Sequence, residues 1–197
     1  MNLIVMKFGG TSVGNLNKIY KVAKIVEKEC KINKIIVVLS AMAGATNKLQ
    51  EYLDEIGAQN TLENDLVLTS GEQVTIGLLS AILKKKGIKS TPLLGWQVPI
   101  ITDENYEKAK ILNINNKTIK SIFSHSDVIV LAGFQGINIK GCITSLGRGG
   151  SDTTAVAIAA ALKAERCDIY TDVDGIFTTD PNVVSNAKKI PKRSEEH

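Results

Sequence analysis

Three glycines, an arginine and an aspartate crowd the entrance of an alanine-rich stretch in SLGRGGSDTTAVAIAAALKA, residues 145–164. The stretch favours a helix because alanine loses no side-chain entropy there, and any one of Ser151, Asp152 or Thr153 could cap its free N–H groups. Capping leaves Gly147, Arg148, Gly149 and Gly150 unexplained. Glycines let bare backbone turn sharply and approach a bound group, at a helix end whose N–H dipoles attract negative charge. The pattern predicts an anion site. KFGGTSV, residues 7–13, offers a second half of it, with Lys7 at the end of an apolar run followed by Gly9, Gly10, Thr11 and Ser12. A lysine is a mobile point charge suited to phosphate oxygens, and glycine N–H groups can cradle them. Lys7 is expected to stand too exposed to carry core packing. Asp152 beside an anion site needs a role that offsets its charge, such as orienting Lys7 or facing a magnesium-bearing nucleotide. No GxxxxGK[ST] motif is present, and Asp152 occupies the third small position after Gly147 and Gly149, so neither the usual P-loop nor a dinucleotide fingerprint accounts for these residues.

Alternating strand and helix patterns must carry this chemistry. Residues 3–8 and 34–40 are short apolar runs, and Leu16, Ile19, Val22, Ala23 and Val26 fall at helical spacing between them. Leu49, Leu53 and Ile56 mark a helix ending near Gly57, and residues 70–87 another that stops at Gly87. Strands are predicted at 90–94, 127–134 and 167–172, with a helix at 118–125. This alternation predicts an α/β fold, a mainly parallel sheet with helices on both faces. Ligands of such sheets gather beyond the carboxyl ends of the strands, where Gly9, Gly10, Gly44, Gly133, Gly136 and Gly175 all fall.

Composition sets the outer bounds. A chain of 197 residues with 44% hydrophobic content can bury one substantial core and is read as one domain. The +4 formal charge is scattered without aromatic interleaving, which argues against an extended nucleic-acid face. Cys30, Cys142 and Cys167 are odd in number and lack CxxC spacing, which points to buried thiols in a reducing compartment, the cytoplasm, with no zinc site. No apolar run reaches the roughly 18 residues of a membrane span, and the opening apolar stretch is too short for a signal peptide. Lys84, Lys85 and Lys86 read as a helix C-terminus complementing its dipole, His125 and His197 as capping or surface residues, and Trp96 as packing.

Seven segments then carry a resemblance: KFGGTSV at 7–13, VVLSAMAGATNKL at 37–49, SGEQVT at 70–75, GWQVPIITD at 95–103, AGFQG at 132–136, LGRGGSDTTAVAIAAAL at 146–162 and YTDVDGIFTTDP at 170–181. In order and spacing they resemble the aspartokinase family. The resemblance implies the amino-acid-kinase fold, a three-layer αβα sandwich around a mainly parallel sheet of about eight strands when complete. It implies a catalytic domain over residues 1–190 that is incomplete at its C-terminus, a tail at 191–197, and no regulatory domains. The implied reaction is phosphoryl transfer from ATP with Mg2+ to the β-carboxylate of L-aspartate, the opening step of lysine, threonine and methionine synthesis, with neither nucleic acid nor membrane as partner.

By that resemblance Lys7 and Asp152 are catalytic, Lys7 bridging the phosphates with Gly9 and Gly10. Arg148 clamps the α-carboxylate of aspartate, Glu72 takes its ammonium group, and Ser40, Thr46, Phe134 and Ser151 shape the rest of the acceptor pocket. Thr171, Asp172, Phe177 and Asp180 serve the nucleotide, and no protein metal site is implied. A planar guanidinium meeting a planar carboxylate, paired with an acid for the ammonium group, separates an aspartate acceptor from acetylglutamate or UMP. Other members of the superfamily and a non-catalytic nucleotide- or partner-binding remnant are the competing readings. Asn182 stands where the family pattern has arginine, and a later lysine-bearing segment has no counterpart. Residues 1–197 are therefore expected to turn over slowly or not at all, with a homo-oligomer or a separate chain supplying the missing part.

Overall fold

The computed structural model describes residues 2–171. Strands β1 (Asn2–Phe8), β2 (Asn33–Leu39), β3 (Ser90–Leu93), β6 (Val128–Ala132) and β9 (Arg166–Tyr170) form a parallel sheet in the order β3-β6-β2-β1-β9. Their β-branched, apolar runs are what a sheet buried on both faces requires. Alternate residues feed two cores. Ile4, Met6, Phe8, Ile35, Val37, Leu39, Val128 and Val130 point to one face, where α1 (Leu16–Glu29) and α4 (Ser70–Lys85) supply Ile19, Val22, Val26, Leu79 and Leu83. Val5, Ile36, Val38, Ile129 and Leu131 point to the other, against α5 (Asn116–Ile122) and α6 (Gly150–Leu162) through Ile119, Ala155 and Ile158. The predicted αβα sandwich is the observed architecture.

The sheet differs from the expected one. Four short strands, β4 (Ile100–Thr102), β5 (Ile111–Ile114), β7 (Gln135–Asn138) and β8 (Ile143–Ser145), form a second sheet in the order β5-β4-β7-β8, parallel only between β4 and β7. Strands of three or four residues with polar positions show no readable alternation, which is why none was expected here. Helix α2 (Ala45–Glu55) was foreseen; α3 (Leu62–Leu68) was not. Through Thr69, α3 runs almost directly into α4, and the stretch Leu62–Lys85 is long and apolar enough by composition to cross a membrane. No such run was expected. Half of it is buried inside the protein, and it carries buried Asn64, Asp65 and Glu72.

Two other expectations fail. Trp96 is 42% exposed and so is not a core residue, and the three free cysteines are only half-buried, although Cys30 and Cys167 do pack against the two cores.

Where β6 ends, Gly133 lies directly under α6. A Cβ added there would sit 2.9 Å from the Cβ of Ser151 and 3.0 Å from its Cα. Gly133→Ala must push α6 away from the sheet, and overpacking of this kind costs about 1–3 kcal/mol. The expected result is a lower urea midpoint with an unchanged m-value; an unaltered midpoint would show that α6 yields freely.

Candidate functional site

Pairing register brings the predicted residues to one edge. Phe8, Leu39, Ala132 and Tyr170 lie level across four parallel strands. Each strand therefore releases its next residue at the same height: Gly9, Ser40, Gly133 and Thr171. Backbone bonds from Ser40 N to Phe8 O (3.2 Å), Gly133 N to Leu39 O (2.9 Å) and Gly9 N to Tyr170 O (3.4 Å) extend the pairing past the strand ends. Gly9 thus has its N–H engaged. A Cβ there would make only ordinary contact, 3.6 Å from Lys7 Nζ.

Helices α4 and α6 begin at this edge, bringing Glu72 and Asp152 in their first turns. The period-two pleat turns Lys7 toward the α6 face, and Lys7 Nζ lies 2.7 Å from Asp152 Oδ1. The contact is an ion pair off the hydrogen-bonding axis, because that carboxylate oxygen has no hydrogen-bond partner among the described residues. Lys7 is only 8% exposed, against the expectation of an exposed lysine: the strand ends one residue later than its side chain, which leaves the sheet between β2 and β9. The helix cap also differs. None of Ser151, Asp152 and Thr153 caps α6, since the helix starts at Gly150 behind Gly149 in the left-handed region (φ 76°). Ser151 and Asp152 serve elsewhere, with Ser151 Oγ bonded to Ser40 Oγ at 3.0 Å and Asp152 facing Lys7, while Thr153 Oγ1 donates back to the Gly149 carbonyl at 3.3 Å.

Lys7, Gly10, Ser40, Thr46, Glu72, Phe134, Arg148, Ser151 and Asp152 line one cavity of about 350 Å³. Within it Glu72 is 2% exposed, its Oε1 accepts from Ala41 N at 3.0 Å, and its Oε2 has no partner among the described residues. Burial pushes its carboxyl up from 4.5 to about 7, against the opposing pull of the Ala41 N–H. Arg148 is exposed on the opposite loop and makes no ion pair among the described residues. Phe134 adopts a left-handed backbone (φ 68°), held by Thr154 Oγ1, which accepts from its N–H at 3.1 Å, and by Leu146 N, which donates to its carbonyl at 2.9 Å. A strained non-glycine residue at a cavity wall is a usual mark of a functional site.

Not every predicted residue joins this cavity. Thr171 lines a separate hollow of about 310 Å³ with Phe8, Lys18 and Tyr170. Asp172, Phe177, Asp180, Gly175 and Asn182 lie outside the described residues. Two participants were missed. The backbone N–H of Ala41 holds Glu72, which no side-chain pattern can reveal. Asp65, 0% exposed, accepts from Ser145 N (2.7 Å), Ser145 Oγ (2.6 Å) and Glu107 N (3.0 Å) immediately behind the Arg148 loop. A lone aspartate in a short helix carries no signal in the sequence.

In this glycine-rich cavity at the carboxyl edge of a parallel sheet, Lys7 and Arg148 stand with Glu72 and Asp152, and residues 2–197 match the amino acid kinase family. The chain belongs to that family. Within it, the chain is 50% identical over 195 residues to the aspartokinase of Rickettsia felis, an alignment covering 96% of this chain and 49% of that one. Its fold superposes on E. coli aspartokinase III in complex with aspartate and ADP with a TM-score of 0.83 at 30% identity, covering 95% of this chain and 53% of the other. It also superposes on aspartate kinase from Synechocystis with a TM-score of 0.78 at 44% identity, covering 94% and 31%. The chain spans about half the length of the Rickettsia felis and E. coli relatives and less of the Synechocystis one.

Glu72 sets a pH dependence of stability. Between pH 4.5 and about 7 the folded protein keeps a proton that the unfolded chain releases, so stability is highest below this window and falls as pH rises through it. The raised carboxyl corresponds to about 3 kcal/mol. Glu72→Gln is expected to exceed the parent in unfolding free energy by about 1–3 kcal/mol above the window and to match it below, measured by urea denaturation at each pH. Parallel pH profiles for the two proteins would mean that Glu72 is well solvated.

Proposed function

We propose that this chain carries the acceptor-binding and phosphoryl-transfer centre of an aspartate kinase, which moves the γ-phosphoryl group of Mg-ATP onto the β-carboxylate of L-aspartate. One observation carries the reading. A single cavity holds a buried acid with an unpartnered oxygen, Glu72, and a guanidinium without an ion-pair partner among the described residues, Arg148. A recessed acid, ready to ionise against an ammonium group, and an exposed cation suit an amino-acid zwitterion better than a plain anion. The aspartokinase relatives, and the aspartate and ADP bound by the E. coli protein, support the choice of substrates.

In this reading Arg148 grips the α-carboxylate through its planar fork, and Glu72, ionised once an ammonium group sits against it, receives that group. Ser40, Thr46, Phe134 and Ser151 fix the remaining side of the acceptor. The attacking β-carboxylate is already ionised near neutral pH, so no general base is needed. A carboxylate oxygen bonds to the γ-phosphorus as the bond to the β,γ-bridging oxygen breaks, and ADP leaves with the electron pair. Lys7 neutralises charge on the migrating group, and Asp152 keeps its ammonium aimed at the phosphates. Magnesium bound with the nucleotide would supply further charge neutralisation, and Asp152, beside Lys7, would be a cavity carboxylate placed to face it. Thr171, Asp172, Phe177 and Asp180 would hold the remainder of the nucleotide.

The test is trapping of the acyl phosphate with hydroxylamine, with Mg-ATP and a panel of amino acids. It is run on this chain and on a version extended by the C-terminal half of the Rickettsia felis relative. Aspartate-dependent hydroxamate is expected at least from the extended protein, and its absence from both overturns the reading. Lys7→Met, close in length and buried, is expected to lower turnover on the order of 10²–10³-fold while aspartate still binds. Arg148→Lys is expected to act mainly on the aspartate KM, at about 1.5–3 kcal/mol, because a point charge cannot reproduce a two-point contact. An unchanged KM in that variant removes Arg148 from the acceptor pocket.

A further inference from the structure

Resting on the acceptor site proposed above, we infer that Asp65 is a positioning residue that sets the Arg148 loop against the Glu72 helix. Its two carboxylate oxygens face only donors. Oδ2 accepts from Ser145 N at 2.7 Å, Oδ1 accepts from Ser145 Oγ at 2.6 Å, and the Glu107 N–H is shared between them at 3.0 and 3.2 Å. Ser145 ends β8 and is followed, after Leu146, by Gly147 and Arg148. Glu107 reaches the same loop from another direction: a Cβ on Gly147 would lie 2.9 Å from the Glu107 carbonyl oxygen, so the left-handed Gly147 (φ 71°) rests directly on that peptide. The Glu107 backbone is itself left-handed (φ 63°), and its side chain is held by Asn60 N (2.7 Å) and Asn64 Nδ2 (2.8 Å). Asn64 and Asp65 thus seize both ends of one residue, and the Arg148 loop leans on the result.

The other side of the cavity is tied to the same residue through its backbone. Asp65 precedes Glu72 by seven residues, close to two helical turns. The carbonyl of Asp65 accepts from both Thr69 N (3.0 Å) and Thr69 Oγ1 (2.7 Å), locking the junction where α3 passes into α4. The Thr69 carbonyl accepts in turn from Gln135 Nε2 at 3.1 Å, fastening that junction to β7. One buried residue therefore fixes the separation between the acid and the guanidinium proposed to bind the two ends of a zwitterion. A carboxylate is the side chain that suits four donor contacts. Asparagine has the same shape but turns an N–H toward donors, leaving buried groups unpaired.

Asp65→Asn in the full chain separates this role from simple stability. Amide hydrogen exchange without ligand is expected to quicken at residues 107–109 and 145–150 while β1, β2 and β6 keep their protection. Calorimetry is expected to show aspartate affinity falling on the order of tenfold to a hundredfold, with ADP affinity changed less than about twofold, as suits misplacement of one contact. Ser145→Ala, which removes one donor and keeps the backbone bond, is expected to move both readouts the same way by less. Exchange that quickens uniformly, or an Arg148 loop unchanged in exchange and affinity, overturns the inference. Failure of the parent to bind aspartate defeats the acceptor reading instead, and the exchange pattern still decides whether Asp65 positions the loop.

Discussion

Phe8, Leu39, Ala132 and Tyr170 stand side by side in four parallel strands, and this register governs the rest of the molecule. Parallel neighbours shift faces together, so a slip of one residue in β1 would send Lys7 to the α4 face and Phe8 into the α6 face. The apolar alternation of Ile4, Met6 and Phe8 against Val5 resists that slip because each set has its own core to fill. Gly9, Ser40 and Gly133 then emerge level, and the loops that follow have no choice but to meet. The site is a consequence of strand pairing before it is a consequence of any polar contact.

Its charges are held at a cost in solvation. Glu72 lies on the α4 side of the sheet and Lys7 on the α6 side, each nearly out of water. Glu72 answers with a raised carboxyl and one idle oxygen, Lys7 with a close ion pair to a half-exposed aspartate. A group held ready for a partner of opposite charge is strained until that partner arrives, and the apolar scaffold around it supplies the stability that tolerates the strain. The small second sheet completes the arrangement by anchoring β8 just before the Arg148 loop. Its own cohesion comes from Thr102 and Thr144, whose hydroxyls are 2.6 Å apart, and from Gly136, where any Cβ would meet the Ile100 carbonyl at 2.7 Å.

The sequence by itself determined the sandwich and much of the cavity. Short, β-branched apolar runs such as residues 34–39 and 128–132 point to buried strands, amphipathic spacing from Leu16 to Val26 points to a helix, and the glycine clusters mark where backbone turns near the strand ends. Tertiary structure alone decided what depends on residues far apart in the chain. The second sheet exists because short polar strands find each other across 45 residues, from Ile100 to Ser145, and nothing local records that pairing. Lys7 is buried because strands close over both its sides, although a lysine at a strand end reads as exposed. The first turn of α6 has no side-chain cap because the left-handed Gly149 starts the helix ahead of Ser151 and Asp152, which meet Ser40 and Lys7 instead. Asp65 matters because Ser145, 80 residues away, brings it donors. Periodicity reports what each segment must bury, but hydrogen bonds between distant segments depend on where burial finally places them.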